Sequence, residues 1–346
     1  MKKLLKVEAS GIRTALSAVL PLVVGQWLGY PAPGLLVGLG GLYLSITDKE
    51  GSTVTSLLMA TVINGAAMLA GSLCGEHVWL SMFVTFAWAF VGGMMSVYGE
   101  VVAQIGFIST VTFAVALGLP AGLAASVERM GLFVAGGLWG VTLTLILWRF
   151  HQKTGEISEV PGFENESLSV SSASSGDAAG RGLFGRFALH LSFRSIIFRH
   201  ALRLAVAATI AVGIFKFFKL ERGYWVIITV LVIVKPVFVD TRKRALERVL
   251  GSVVGGAVAA LLAASIHNIV VLDTLLLLFS VLAYSHVREN YGFYVLFLTP
   301  FVVLMIETTE PTDSRITLIR ISNTLLGGAI AITVSYFLRP RSALNI

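Results

Sequence analysis

Long apolar runs, separated by short polar stretches, recur along almost the whole chain. A helical membrane span needs about 17–25 mostly apolar residues, and twelve segments approach that length. Six lie in the first half, at roughly 12–29, 33–47, 53–75, 78–97, 101–118 and 128–148. Six more lie at roughly 199–218, 223–239, 246–266, 270–286, 291–306 and 316–338. Several are short, the second and eighth most of all, so ten or eleven spans stay open; tilt and re-entry accommodate such segments. The pattern predicts an all-α protein, a polytopic transmembrane helical bundle of about 12 spans. The opening Met1-Lys2-Lys3-Leu4-Leu5-Lys6 has the look of a signal peptide, but no small-residue cleavage site follows it. The first run is therefore expected to be retained as a span.

The apolar pattern is interrupted at length once, over residues 151–182. The serine-rich stretch from Ser167 to Gly176 reads as a flexible cytoplasmic linker with no core-forming pattern. Residues 183–198 follow. Here Arg186, His190 and Arg194 fall at i, i+4 and i+8 with aromatics and leucines opposite, which predicts an amphipathic helix at the membrane interface. A regulatory or partner-binding helix is the alternative. The flanking regions, 1–150 and 199–346, are expected to be two six-helix transmembrane repeats.

The two halves echo each other. Arg129 followed by Gly136-Gly137 recurs as Arg320 followed by Gly327-Gly328, with the same internal spacing. Near the start of each half Arg13 parallels Arg203, and Asp48 parallels Asp240. With six spans each, the halves enter the membrane from the same side. They are then parallel repeats about an axis along the membrane normal, and a pathway is expected between them.

Composition agrees with the span pattern. The hydrophobic set makes up 56% of residues and charged residues only 13%, against about 45–50% and 25% in soluble domains. The mean hydropathy of +0.85 excludes both an ordinary soluble domain and a disordered chain. The single cysteine, Cys74, excludes a disulfide framework and a cysteine-rich metal site, and its apolar flanks make it a packing residue. The net charge of +7 sorts by side: with twelve spans, twenty of the 26 Lys and Arg residues fall on the side of the N-terminus. The positive-inside rule then places both termini and the linker in the cytoplasm, so most of the basic excess reports topology.

One stretch is more distinctive. Gly223-Tyr224-Trp225 opens a span, Pro236 follows, and Arg244, Arg248 and Gly251 enter the next span in an Arg-x-x-x-Arg-x-x-Gly pattern. With Arg199-His200-Ala201-Leu202-Arg203 upstream, residues 199–256 resemble the signature of the fusaric acid resistance family of membrane proteins. The first half fits only through the internal repeat, Pro31-Ala32-Pro33-Gly34 standing in for the Tyr-Trp element. The family includes exporters of aromatic carboxylic acids and, more distantly, aluminium-activated malate transporters. The resemblance implies a bacterial inner-membrane permease for organic anions. Many larger members carry a substantial soluble domain, where this chain has only a short linker. The partners implied are a small organic anion and the lipid bilayer; a periplasmic adaptor, as some efflux members use, and a homodimer stay open, and no nucleic acid is expected.

Charge inside a bilayer costs on the order of 2.5–3.5 kcal/mol at helix centres and so marks candidate sites. Lys235 sits in an apolar stretch beside Pro236, where it binds an anion or snorkels to the cytoplasmic headgroups. Arg129 and Arg320 lie near outer helix ends, where topology disfavours them. They are two symmetric guanidiniums suited to carboxylate, or else partners of Glu128 or Asp313. Arg13 and Arg203 form a second symmetric pair, read as topology anchors or substrate contacts. Trp225 and Tyr224 stack an aromatic substrate or belong to the interfacial aromatic belt. Arg242, Lys243, Arg244 and Arg248 read as a positive-inside anchor that also draws anions to a vestibule. Glu307 and Glu100 are the candidate proton-coupling carboxylates, with solvated loop ends as the alternative. His286 falls in an expected cytoplasmic loop.

The sequence contains no Gly-x-x-x-x-Gly-Lys-[Ser/Thr], His-Glu-x-x-His or Gly-x-Ser-x-Gly motif, and its six histidines are scattered. No cofactor, no metal and no enzymatic activity are expected. With the resemblance, these residues imply export of organic anions, aromatic carboxylates among them, through a path between the repeats and driven by proton-motive force. A passive anion channel of the same fold and a non-transporting membrane scaffold are the alternatives.

Overall fold

The computed structural model describes residues 8–48, 51–154, 183–236, 238–266, 268–287, 290–307 and 315–338. Among them all regular secondary structure is helical. The first half holds α1 (Ala9–Trp27), α2 (Pro31–Thr47), α3 (Val54–Cys74), α4 (Val78–Met94), α5 (Glu100–Leu117) and α6 (Leu123–Thr154). A short helix, α7 (Leu183–His190), precedes the second half. There α8 (Ile196–Phe217), α9 (Tyr224–Ile233), α10 (Phe238–Ser265), α11 (Ile269–Ser285), α12 (Tyr291–Glu307) and α13 (Arg315–Phe337) follow. Among the described residues seven stretches are long and apolar enough to cross a membrane: α3, α4 with its 3-10 extension to Tyr98, α5, α6, α8, α10 and α13. The chain is a multi-pass membrane protein. Helices α2, α9, α11 and α12 are apolar but shorter.

Local chemistry sets several boundaries. Thr53 accepts from the Ser56 N–H while the Ser56 hydroxyl accepts from the Thr53 N–H, a capping box that starts α3. Helix α9 stops after ten residues because Pro236 has no N–H and pushes the residue before it out of helical geometry. The Lys235 N–H donates instead to the Thr241 hydroxyl, 3.1 Å away. The next helix then begins at Phe238, so the basic run Arg242–Arg248 lies within α10 rather than in a loop leading to it.

Helix pairings recur between the halves. In the first, α2 packs on α1 and α6, α3 on α5 and α6, and α4 on α5. In the second, α9 packs on α8 and α13, α10 on α12 and α13, and α11 on α12. The two most extensive contacts between halves are reciprocal, α4 against α8 and α11 against α1, while α5 against α9 has no counterpart of similar extent. The di-glycine pairs have a corresponding use. A Cβ on Gly136 would collide with the Val37 carbonyl of α2, and one on Gly327 would lie 2.7 Å from the Val226 carbonyl of α9. Both allow the backbone approach that small residues give membrane helices.

Three expectations need correction here. The amphipathic segment is helical only over Leu183–His190, so Arg194 lies in the turn before α8 and does not share a face with Arg186 and His190. His286 is buried, not in an open loop: it caps α11, its Nδ1 pairs with the Leu282 carbonyl and its ring lies between Phe293 and Phe297. The linker expected over 151–182 starts later, because residues 151–154 continue α6; residues 155–182 and both chain termini lie outside the described residues.

Candidate functional site: a cavity between the halves

A cavity of about 490 Å³ lies between the two halves. From the first half, Leu39 and Tyr43 of α2 and Phe107 and Val111 of α5 form one wall. From the second, α9 gives Tyr224, Trp225 and Ile228, and α12 gives Tyr294, Leu298 and Val302. Arg248 of α10, Tyr284 of α11 and Arg320 of α13 complete the lining. The walls are chiefly apolar and aromatic, as in most small-molecule sites, with few polar groups converging on the interior.

Those polar groups are cations and phenols. Arg248 and Arg320 are 6% and 5% exposed, yet neither meets a carboxylate among the described residues. The Arg320 guanidinium sits over the Trp225 ring, 5.0 Å from its centre, a cation–π contact strengthened by desolvation. Trp225 itself is buried against Ala259, Val303, Ile306 and Ile316, away from any lipid-facing belt. Arg248 lies beside Tyr291, whose ring is also covered by Arg244 at 4.1 Å. Tyr294 stands between Tyr284 and Tyr291, with ring centres 5.6 and 5.9 Å away.

At one end of the cavity is the turn joining α8 to α9, which contributes Glu221 and Arg222 to the lining. Lys219 and Arg222 take left-handed backbone there, with φ of 48° and 49°, a conformation that costs energy for residues with a side chain. The Asn323 amide holds this turn by donating to the carbonyls of Glu221 at 3.0 Å and Arg222 at 3.2 Å.

The candidates from the sequence separate. Arg320, Trp225 and Tyr224 line the cavity; Arg129, Lys235 and Arg203 do not. Arg129 donates to the Leu119 carbonyl at the end of α5, so it does not mirror Arg320. Lys235 sits at the α9–α10 break, beside a pocket of about 40 Å³ that it shares with His200 and Ser96. Arg203 is buried and donates to the Pro236 carbonyl at 2.7 Å. Glu100 is exposed at the N-terminus of α5, and the Glu307 side chain lies outside the described residues.

Arg13, the counterpart of Arg203, pairs with buried Asp48 and also reaches the Ser45 carbonyl. Burial pushes the Asp48 carboxyl up from its usual range, and the Arg13 guanidinium pulls against that shift.

Sequence reasoning placed Arg248 with the surface anchor of α10 and did not single out Tyr43, Tyr284 or Tyr294. The available signal for Arg248 was spacing: it shares a helical face with Gly251, Ser252 and Gly255, small residues that mark a packing surface. No group of His, Cys, Asp and Glu able to hold a metal occurs among the described residues.

Residues 209–334 match a family model described as fusaric acid resistance protein-like. An uncharacterized protein of Haemophilus influenzae is 31% identical over 148 residues, 42% of this chain and 21% of that protein. Inner membrane protein YccS of Escherichia coli is 28% identical over 152 residues, 44% of this chain and 21% of that protein. The uncharacterized protein YhfK of Escherichia coli is 29% identical over 155 residues, 44% of this chain and 22% of that protein. The chain thus spans about a fifth of the length of these relatives. No solved structure matches. The matched region contains the two buried cavity arginines, Arg248 and Arg320, and Tyr224, Trp225, Tyr284 and Tyr294.

Proposed function

We propose, from the match of residues 209–334 to a fusaric acid resistance protein-like family model, that the chain is a multi-pass inner-membrane permease that exports organic anions, aromatic carboxylates among them. The observation that carries this reading is the cavity between the halves, where buried Arg320 lies over buried Trp225 with no carboxylate beside it among the described residues. A guanidinium placed this way supplies bidentate donors and positive charge to a carboxylate. The aromatic walls accept the ring attached to that carboxylate.

The recurring helix pairings and the reciprocal α4–α8 and α11–α1 contacts support two parallel six-helix repeats about a pseudo-twofold axis, with twelve helices crossing the membrane. The cavity lies at the boundary of the repeats, where such transporters bind substrate. With no nucleotide-binding motif in the chain, proton-motive force is the proposed energy source. The excess of basic residues on one side supports a cytoplasmic position for both ends. The reading is transport rather than catalysis.

Counterflow of labelled benzoate in proteoliposomes tests it. The wild-type protein is expected to exchange the acid, and Arg320→Gln to fall to the rate of empty vesicles. Wild-type exchange by Arg320→Gln would remove the site from the proposal. Single-channel currents without proton coupling would assign a passive anion channel to the same fold.

A further inference from the structure

We infer that the cavity takes an aromatic ligand bearing two separated anionic groups, one met by Arg248 and the other by Arg320. This rests on the anion-permease reading and narrows it to a substrate class.

The inference comes from charge compensation. Arg248 and Arg320 project from different helices, α10 and α13, into the same cavity, and they are close enough to act on each other and jointly on Tyr294. Two buried like charges raise each other's cost, and each carries a desolvation penalty of several kcal/mol unless paired. The other two buried guanidiniums, and half-buried Arg129, each have a protein oxygen. Arg13 has the Asp48 carboxylate, Arg203 the Pro236 carbonyl and Arg129 the Leu119 carbonyl. Among the described residues Arg320 meets no carboxylate and no hydrogen-bonded oxygen, and Arg248 has beside it only the neutral phenol of Tyr291.

A ligand with one negative charge leaves one of the two guanidiniums uncompensated. Two anionic groups on one body answer both. The body itself is selected by the walls: Phe107, Val111, Ile228 and Leu298 offer apolar contact, and Trp225 offers aromatic contact beside Arg320. The other charged groups of the lining, exposed Glu221 and half-buried Arg222, are adjacent and of opposite sign on the α8–α9 turn, so they leave the two buried guanidiniums as the uncompensated charge.

The test is isothermal titration of the purified full chain in detergent, at neutral pH, with isophthalate and with its monomethyl ester. The two ligands share a ring and nearly a size but differ by one charge. Isophthalate is expected to bind at least tenfold more tightly. Arg248→Gln is expected to bring the two affinities together, and Arg248→Lys, which keeps the charge, to retain the preference. Equal binding of both ligands by the wild type overturns the two-anion inference and leaves the permease reading standing. A preference that persists in Arg248→Gln overturns the role of Arg248. If neither ligand binds, the anion-permease reading falls and this inference with it.

Discussion

The guanidinium of Arg320 lies over the face of Trp225, 5.0 Å from the ring centre, and both side chains are buried between α9, α10, α12 and α13. The ring fixes the plane of the cation and shields one face of it, so the other is left for the cavity. A desolvated cation–π contact contributes about 2 kcal/mol. Trp225→Leu is expected to lower the melting temperature in detergent and to weaken benzoate binding by titration, while Trp225→Phe keeps a π face and most of both properties. Equal losses in Trp225→Phe and Trp225→Leu would show that bulk, not the ring–cation contact, sets the position of Arg320.

Much of the fold is legible from the apolar runs alone, because a bilayer forces the backbone to satisfy its own hydrogen bonds and so turns each long run into a helix. The twelve segments read from the sequence each correspond to a helix among the described residues. Even the shortness of the eighth has its cause in view at Pro236. The site is less legible. Arg248 lies in a run of four basic residues, and only the start of α10 at Phe238 turns it inward while Arg242 and Lys243 stay exposed. Tyr43, Tyr284 and Tyr294 come from three helices and from both halves, and no local spacing announces their convergence. The repeat suggested that Arg129 and Arg320 would act as a pair. The last helix of each half has diverged instead, and Arg129 is held by the Leu119 carbonyl.

The Arg13–Asp48 pair ties α1 to the end of α2, with both side chains nearly inaccessible. Removing one member of a buried pair leaves an uncompensated charge and costs about 3–5 kcal/mol. Asp48→Ala is therefore expected to reduce stability far more than Asp240→Ala, since Asp240 is exposed at the start of α10. The double variant Arg13→Met/Asp48→Leu is expected to recover most of the loss. Thermal melts of the four proteins check this, and equal melts for Asp48→Ala and Asp240→Ala would contradict it.

Gly136 meets the backbone of α2 with no room for a side chain, and its neighbour Gly40 meets the Phe133 carbonyl in the same helix crossing. Gly131, on the same helix α6, has no atom within 4 Å of the position a Cβ would take. Overpacking costs about 1–3 kcal/mol and occasionally more. Gly136→Val is expected to destabilise the protein by at least that amount, and Gly131→Val to be tolerated. Size-exclusion recovery after heating, compared between the two variants, is the measurement; similar recovery would mean that α2 and α6 can move apart at little cost.

Asn323 holds the turn at the end of the cavity through two hydrogen bonds to carbonyls from residues 221 and 222, the second of which carries a left-handed backbone. Losing a buried donor that leaves carbonyls unsatisfied costs about 1–3 kcal/mol. The turn is short and borders the cavity, so the effect is expected to be local. Asn323→Ala should speed hydrogen exchange over residues 218–224 and leave exchange in α3 and α5 unchanged. Arg222→Gly, which relieves the left-handed strain, should recover part of the protection when added to Asn323→Ala. Exchange that rises equally throughout α8, α9 and α13 would instead make Asn323 a support of the whole second half rather than of the turn.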